Sequence, residues 1–381
     1  MKKILISSLI IATTSFAENF EYPYLYKDPK AMGMGGAYTA VGGTSSAIFY
    51  NPAGISKINK DAGFEINLLK LSVGFGKNSI KFVKDLQNAF DTGDLNNNGK
   101  TSDDQLRAVN KVIKKYQGEN LHIEVNDYSS ISRKWSKIGF TIGFLLNANS
   151  NSITHQGFGT EGVLEEHMNI IYGPTLGLSY DALDGKLNLG VSGKFLHKKS
   201  VNHYFTPREI VEHENNMDNY ITKTLAKDGS AFGADLGVIY NIDKFPMVPI
   251  SVGASLLNIG DLNFGKAGKI PMTANIGVAL KPQLPIFDWT IALDYVDLTN
   301  NYKQDKDKLK RVRAGAEIGL LDRWWGGLKV RGGIYQGYLT AGAELRLLLL
   351  TAMFTTYEEE VGAYAGQKGD RRYLLTLSIG W

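Results

Sequence analysis

One stretch of the chain carries the spacing of a cation-binding loop. Asp94, Asn96 and Asn98 fall at positions one, three and five, Gly99 at six and Lys100 at seven, the order in which an EF-hand-like loop wraps oxygen ligands round a hard cation. The pattern then departs from that loop. Gln105 stands where a bidentate Glu closes the shell, and Thr101 where an apolar residue is usual. Two readings stay open: a weak Ca2+ site on an extracellular loop, or a solvated polar turn capping a helix that starts near Asp103.

The remaining chemistry-bearing residues form no mechanism in sequence. The six histidines, His122, His155, His167, His197, His203 and His213, lie in no Gly-x-Ser-x-Gly or His-x-x-x-His setting and read as loop or surface residues, so no catalysis is expected. With no cysteine there is neither a disulfide framework nor a thiolate metal site. The formal charge is +4, of which Lys2 and Lys3 supply two, which gives no argument for a nucleic-acid partner. No cofactor is expected apart from the calcium reading.

The elements that would carry these residues are strands. The composition, 42 Gly, 19 Tyr and 17 Phe against 10 Pro, is that of a Gly-rich and aromatic-rich β protein. In the final segment Tyr373, Leu375, Leu377, Ile379 and Trp381 are bulky and apolar, while Thr376, Ser378 and Gly380 between them are small or polar. A period of two with aromatics at both ends suits a strand with one face in lipid and one in a polar lumen, and as the last strand it reads as a barrel-assembly signal. Similar alternation recurs upstream, with Lys194, Asp294, Arg313, Glu317 and Arg331 mid-strand on the opposite face, where a water-lined lumen would accept them. A mean hydropathy of −0.16 is compatible with this, because only every second strand residue faces lipid.

The pattern predicts an all-β transmembrane antiparallel barrel of fourteen strands, at 62–76, 120–132, 138–151, 168–181, 185–203, 229–242, 248–261, 270–283, 287–299, 308–320, 327–335, 337–345, 347–357 and 370–381. Long links (77–119, 152–167, 204–228, 358–369, with 262–269 and 300–307) follow odd strands and short ones even strands, as expected with both termini in the periplasm. Residues 77–119 and 204–228 read as extracellular insertions with short helices. The one at 103–116 is amphipathic through Leu106, Val109, Ile113 and Tyr116, and would rest on lipopolysaccharide, on a partner, or on its own loops. All five tryptophans then map to the periplasmic interface, where amphipathic rings form a girdle.

The N-terminus reads as a secretory signal over 1–17: Lys2 and Lys3, an apolar core from Ile4 to Ile11, and Ser15-Phe16-Ala17 as the cleavage site. Residues 18–60 follow as a compact segment before the barrel at 61–381. It is dense in small residues, notably Gly33, Gly35 and Gly36, and carries the fixed turn Asn51-Pro52-Ala53. It is no phosphate loop, lacking a Gly-Lys-Ser/Thr ending. This run resembles the N-terminal hatch of the FadL-like family of outer-membrane proteins, and the stretch from Glu358 through Gly366 to Arg371, Arg372 and Trp381 is most like the subgroup named after plasmid-transfer TraF, to which PorV-type secretion components are related. The resemblance implies fourteen strands, a lumen plugged by the hatch, and passage of hydrophobic molecules that leave sideways through the wall.

Three functions follow as expectations. The first is uptake of hydrophobic, long-chain fatty-acid-like molecules across the bacterial outer membrane. The second is a non-transporting component of a conjugation or secretion system, and the third a water-filled porin, which the plug disfavours. The partners implied are outer-membrane lipid and lipopolysaccharide, the barrel assembly machinery, and either a hydrophobic solute or transfer and secretion proteins.

Overall fold

The computed structural model of the chain describes residues 21–59, 63–91, 103–157, 161–242, 244–245, 247–302 and 307–380. The signal segment, the candidate calcium residues Asp94, Asn96, Asn98 and Lys100, and Trp381 lie outside them.

Fourteen strands close into one antiparallel barrel. They are β1 (Phe64–Gly76), β2 (Asn120–Trp135), β3 (Ile138–Gln156), β4 (Gly162–Ala182), β5 (Leu187–Phe205), β6 (Lys227–Ile242), β7 (Ile250–Leu257), β8 (Thr273–Leu280), β9 (Asp288–Tyr295), β10 (Val312–Arg323), β11 (Gly326–Tyr335), β12 (Tyr338–Leu347), β13 (Leu350–Glu360) and β14 (Gly369–Gly380). Each pairs with its sequence neighbour, and β14 closes on β1 with Val73 opposite Leu375 and Phe75 opposite Tyr373. Closure leaves no unpaired sheet edge, which hydrocarbon would not tolerate. Among the described residues no helix is long and apolar enough to cross a membrane.

The two-residue period sets the two faces. In β14, Leu375 and Leu377 are half-exposed on the outside while Leu374, Thr376 and Ser378 are buried inside; Tyr373 and Ile379 share the outer face. Trp135, at the end of β2, is 75% exposed, and Trp324, in the turn between β10 and β11, is 84% exposed. With Trp289 at the start of β9 and Trp325 beside Trp324, these four rings gather at one end of the barrel, the end of the short turns.

Inside the barrel lies the segment 21–59. It contains α1 (Pro29–Gly33), started by Asp28, whose carboxylate accepts from the Lys30 and Ala31 amides. Two 3-10 turns follow, Ser45–Phe49 and Pro52–Lys57. Proline at the first helical position and an Asp or Asn cap just before it explain both of the capped starts.

Two departures from the sequence pattern matter for the lumen. β3 and β4 run on to Gln156 and back from Gly162, so the expected link 152–167 is mostly strand. Their outer faces there meet protein instead of lipid, which removes the apolar signal used to find them. Helices α2 (Ser79–Asp91), α3 (Asp103–Lys115) and α4 (Pro207–Glu212) cover that outer wall, packing Phe82, Val109, Ile113 and Ile210 onto Leu121, Leu164 and Phe205. The amphipathic helix thus buries its apolar face on the neighbouring helices and the barrel wall of its own chain. Conversely, β7, β8 and β9 are only eight residues each, shorter than predicted. The chain leaves β7 through left-handed turns at Asn258 and Asp261, and the link 262–269, expected outside, folds into the lumen. Its hairpin pairs Leu262 with Ile270 and buries Leu262, Phe264, Ala267 and Ile270 against Leu25, Phe49 and Tyr128.

Candidate functional site

The predicted Gly-rich run sits on a matching belt of glycines in the wall. Gly190 pairs across strands with Gly237, Gly253 with Gly277, and Gly315 with Gly333. Each pair leaves a bare stretch of inner wall where the backbone of segment 33–53 comes into direct contact. A methyl group on Gly315 would stand 2.2 Å from the Met34 carbonyl oxygen, and one on Gly253 would stand 2.6 Å from that of Thr39. The approach is closest at Gly35. Its φ of +66° disfavours any side chain, and a methyl there would lie 2.4 Å from the Ala314 carbonyl oxygen and 2.5 Å from that of Ile334. Gly33 lies against Gly342, and Gly36 against Tyr335 and Arg313.

Asn51-Pro52-Ala53 fixes the far end of this contact. The Asn51 amide donates to the Thr39 carbonyl (2.8 Å), to Val238 of β6 (3.1 Å) and to Ala254 of β7 (3.2 Å), while its oxygen caps the following turn by accepting from Ala53 N (3.0 Å). A longer side chain on Gly237 would collide with that oxygen, and one on Gly190 with the Ala53 amide. Of the six residues singled out in this segment, Gly33, Gly35, Asn51, Pro52 and Ala53 therefore face glycine or backbone of the wall, and Gly36 faces the Tyr335 and Arg313 side chains.

The inward charges do not line water, correcting the expectation drawn from their mid-strand positions. Arg331 is paired with Glu317 (2.6 Å) and with Glu344, and Lys30 of α1 approaches Glu317 at 3.6 Å. Lys194, 1% exposed, is held by Asp235 (2.8 Å) and Asn258 (3.1 Å). Arg313 donates to Tyr24 Oη (2.9 Å), and Asp294 accepts from the Tyr38 and Thr39 amides at 2.7 Å each. Glu317, Arg313 and Asp294 are thus spent on the lumenal segment, while Lys194 and Arg331 are satisfied by partners within the barrel.

Towards the long-loop end, the stretch Glu21–Lys27 is clasped by charge. Glu21 meets Arg372 through both guanidinium nitrogens (2.8 and 3.0 Å), and Lys27 bridges Glu21 (3.0 Å) and Glu359 (2.7 Å). Asp28 pairs with Lys70. This clasp was not legible in sequence, because Arg372 lies 351 residues from Glu21 and Glu359 332 residues from Lys27.

Two cavities lie on either side of that stretch and share Tyr22, Pro23, Tyr24 and Lys27 in their walls. The inner one is small, about 70 Å³, and its walls include the aromatic Tyr26, Phe49, Tyr50 and Tyr335. The outer one, about 430 Å³, is a polar vestibule against β2–β5. A third depression of about 480 Å³ lies on the outer wall, lined by Val238, Tyr240, Val252, Ile276, Val278 and Leu293, with Gly253, Gly277 and Asp294 at its base. There the wall is one backbone thick, with Thr39 directly behind it.

No family model and no curated protein matches the sequence. Solved structures do match in fold. The chain superimposes on a deletion mutant of the TodX monoaromatic hydrocarbon channel with a TM-score of 0.55 at 10% identity, covering 93% of this chain and 99% of that one. The toluene transporters TodX of Pseudomonas putida and TbuX of Ralstonia pickettii each give 0.51, at 11% and 12% identity, with 95% of this chain covered in both cases and 98% and 99% of theirs. At such identity the likeness is one of fold, so the fourteen-stranded architecture implied by the resemblance to FadL-like proteins holds along nearly the whole chain.

Proposed function

We propose that the protein admits hydrophobic small molecules across the bacterial outer membrane and releases them sideways into the bilayer. The observation that carries this reading is the pair of cavities separated only by Glu21–Lys27, set in a barrel fold shared with structures described as toluene transporters and a monoaromatic hydrocarbon channel. A solute entering the vestibule meets the aromatic cavity once that stretch shifts. The apolar depression over Gly253 and Gly277 supplies the exit side, where transfer into lipid is downhill by the hydrophobic effect. The hatch residues Asn51, Pro52 and Ala53 stay seated on the wall while the charge-clasped stretch moves, because the former contact is steric and the latter is made of exchangeable ion pairs.

One observation favours the alternative, a non-transporting partner in a conjugation or secretion system: at 70 Å³ the inner cavity is smaller than the ~150 Å³ void that accommodates benzene elsewhere. Mass spectrometry of apolar compounds extracted from the purified barrel decides between them, with an unrelated barrel in the same detergent as control. Reproducible enrichment of a hydrophobic compound supports uptake. An empty lumen in mild detergents, together with co-purified transfer or secretion proteins, overturns it.

A further inference from the structure

The vestibule's own chemistry does not match an apolar solute. Its wall is made by inward residues of β2–β5, which lie in register: Asn126 faces Asn147, Asn149 faces Asn169, and His167 faces both Asn151 and Asn202. The side chains form a chain of bonds along this wall. Asn149 donates to Asn147 (2.8 Å), Asn169 to Asn149 (3.4 Å), and His122 and His167 bond the oxygens of Asn151 (2.6 Å) and Asn202 (3.0 Å).

What this chain leaves unspent identifies the ligand chemistry. The Nδ2 groups of Asn147, Asn151 and Asn202 have no acceptor among the described residues, and Oδ1 of Asn169 has no donor. His122, 2% exposed, is not among these free groups, because its Nε2 faces the Glu124 carboxylate at 3.7 Å. Donors and acceptors are thus offered together, at a spacing set by the strands. The carboxylates, by contrast, are occupied: Glu165 by His155 (2.7 Å), His167 (2.9 Å) and Tyr204, and Glu21 by Arg372 and Lys27. The lining carries three carboxylates (Glu21, Glu124, Glu165) against two ammonium groups (Lys27, Lys198), so its field does not favour an anion. Tyr22 and Tyr24, with ring centroids 5.0 Å apart and tilted 50° to each other, add aromatic surface to the same lining. Its volume of about 430 Å³ falls in the ~300–1,000 Å³ range of small-molecule sites.

We infer that the vestibule binds a neutral, hydroxyl-rich solute, such as a mono- or disaccharide, whose hydroxyls both donate to and accept from the amide wall while a C–H face lies on Tyr22 and Tyr24. This goes beyond hydrophobic uptake and does not depend on it.

The test is isothermal titration of the purified full-length barrel with glucose, N-acetylglucosamine, maltose and sucrose. Saturable binding of at least one, with Kd on the order of 1 mM, is expected. Asn149→Leu combined with Asn169→Leu weakens it by about tenfold or more, and Asn202→Leu, at the exposed rim, by several-fold. Because the inner pair sits deeper and its loss could disturb folding, the heat-modifiable band of each variant is checked and the rim variant decides if the pair fails. No binding of any of the four sugars, or binding unchanged in a folded Asn202→Leu protein, overturns the proposal. Uptake of labelled toluene is measured in parallel with the wild-type protein: sugar binding without toluene uptake overturns the uptake reading alone, and toluene uptake without sugar binding overturns this one alone.

Discussion

Two sides of the lumen treat the same N-terminal segment in opposite ways. On β6–β12 the wall is glycine and paired charge, and the segment's backbone touches it directly. On β2–β5 the wall seats the segment through Gly139, Gly177 and Gly190 near the short turns, but towards the long loops it is amide-rich and stands clear, leaving the vestibule. Strand length follows the same division: 16–21 residues on the tall side against eight in β7–β9, near the ~9–11 that a tilted crossing needs. The comparison teaches that seating and access are built from different materials. Steric complementarity fixes the segment where it must not move, and unspent hydrogen-bonding groups line the space that solutes can enter.

The largest break in this contrast comes from adding a side chain to the dry side. Gly35→Val places a branched group in left-handed backbone within van der Waals range of two wall carbonyls. It should lower stability by about 4 kcal/mol or more, read as a urea midpoint shift in lipid or detergent, and should open segment 21–59 to protease.

Next in size is the loss of one buried ion. Glu359→Leu leaves Lys27 with only Glu21 and should cost about 3–5 kcal/mol, whereas adding Lys27→Met recovers most of it. Little recovery in the double variant would mean that the pair does more than neutralise itself. Asn51→Ala removes three donated bonds and a turn cap, for about 1–3 kcal/mol by the same measurement. Asn202→Leu on the wet side should change stability by about 0.5 kcal/mol or less.

The smallest effect lies outside the barrel, in the helical cap. Hydrogen bonds from Lys115 (2.5 Å) and the Tyr116 hydroxyl (2.7 Å) hold the exposed Asp85 carboxyl below its ordinary value. A depressed carboxylate contributes stability above its unfolded pKa of about 3.9 and loses it as pH falls through the folded value. Hydrogen exchange of α2 and α3 should therefore quicken between pH 5 and pH 3, each reading corrected for intrinsic rate, and Asp85→Asn should abolish that pH dependence.

Much of the barrel was legible because lipid on one face imposes a strict period. All fourteen strands lie where alternation placed them, down to Leu375 and Leu377 on the outer face of β14. Legibility failed where that asymmetry ends. The upper parts of β3 and β4 face helices outside and amides inside, so they read as a loop. The hairpin around Phe264 carried a signal in its spaced apolar residues, Leu262, Phe264, Ala267 and Ile270, too many for an exposed link. Asn51 and the three glycines were visible by type, but their counterparts Gly237, Gly315 and Gly333 looked like ordinary strand glycines until the register aligned them. The clasp of Glu21 and Lys27 by Arg372 and Glu359 had no local signature at all.

The proposed uptake is tested most directly by the initial rate at which cells take up radiolabelled toluene and oleate, with and without this protein in a strain lacking comparable channels. The account predicts a saturable, protein-dependent increase for at least one of the two. Rates equal to those of the empty strain, with the folded barrel present in the outer membrane, would contradict it.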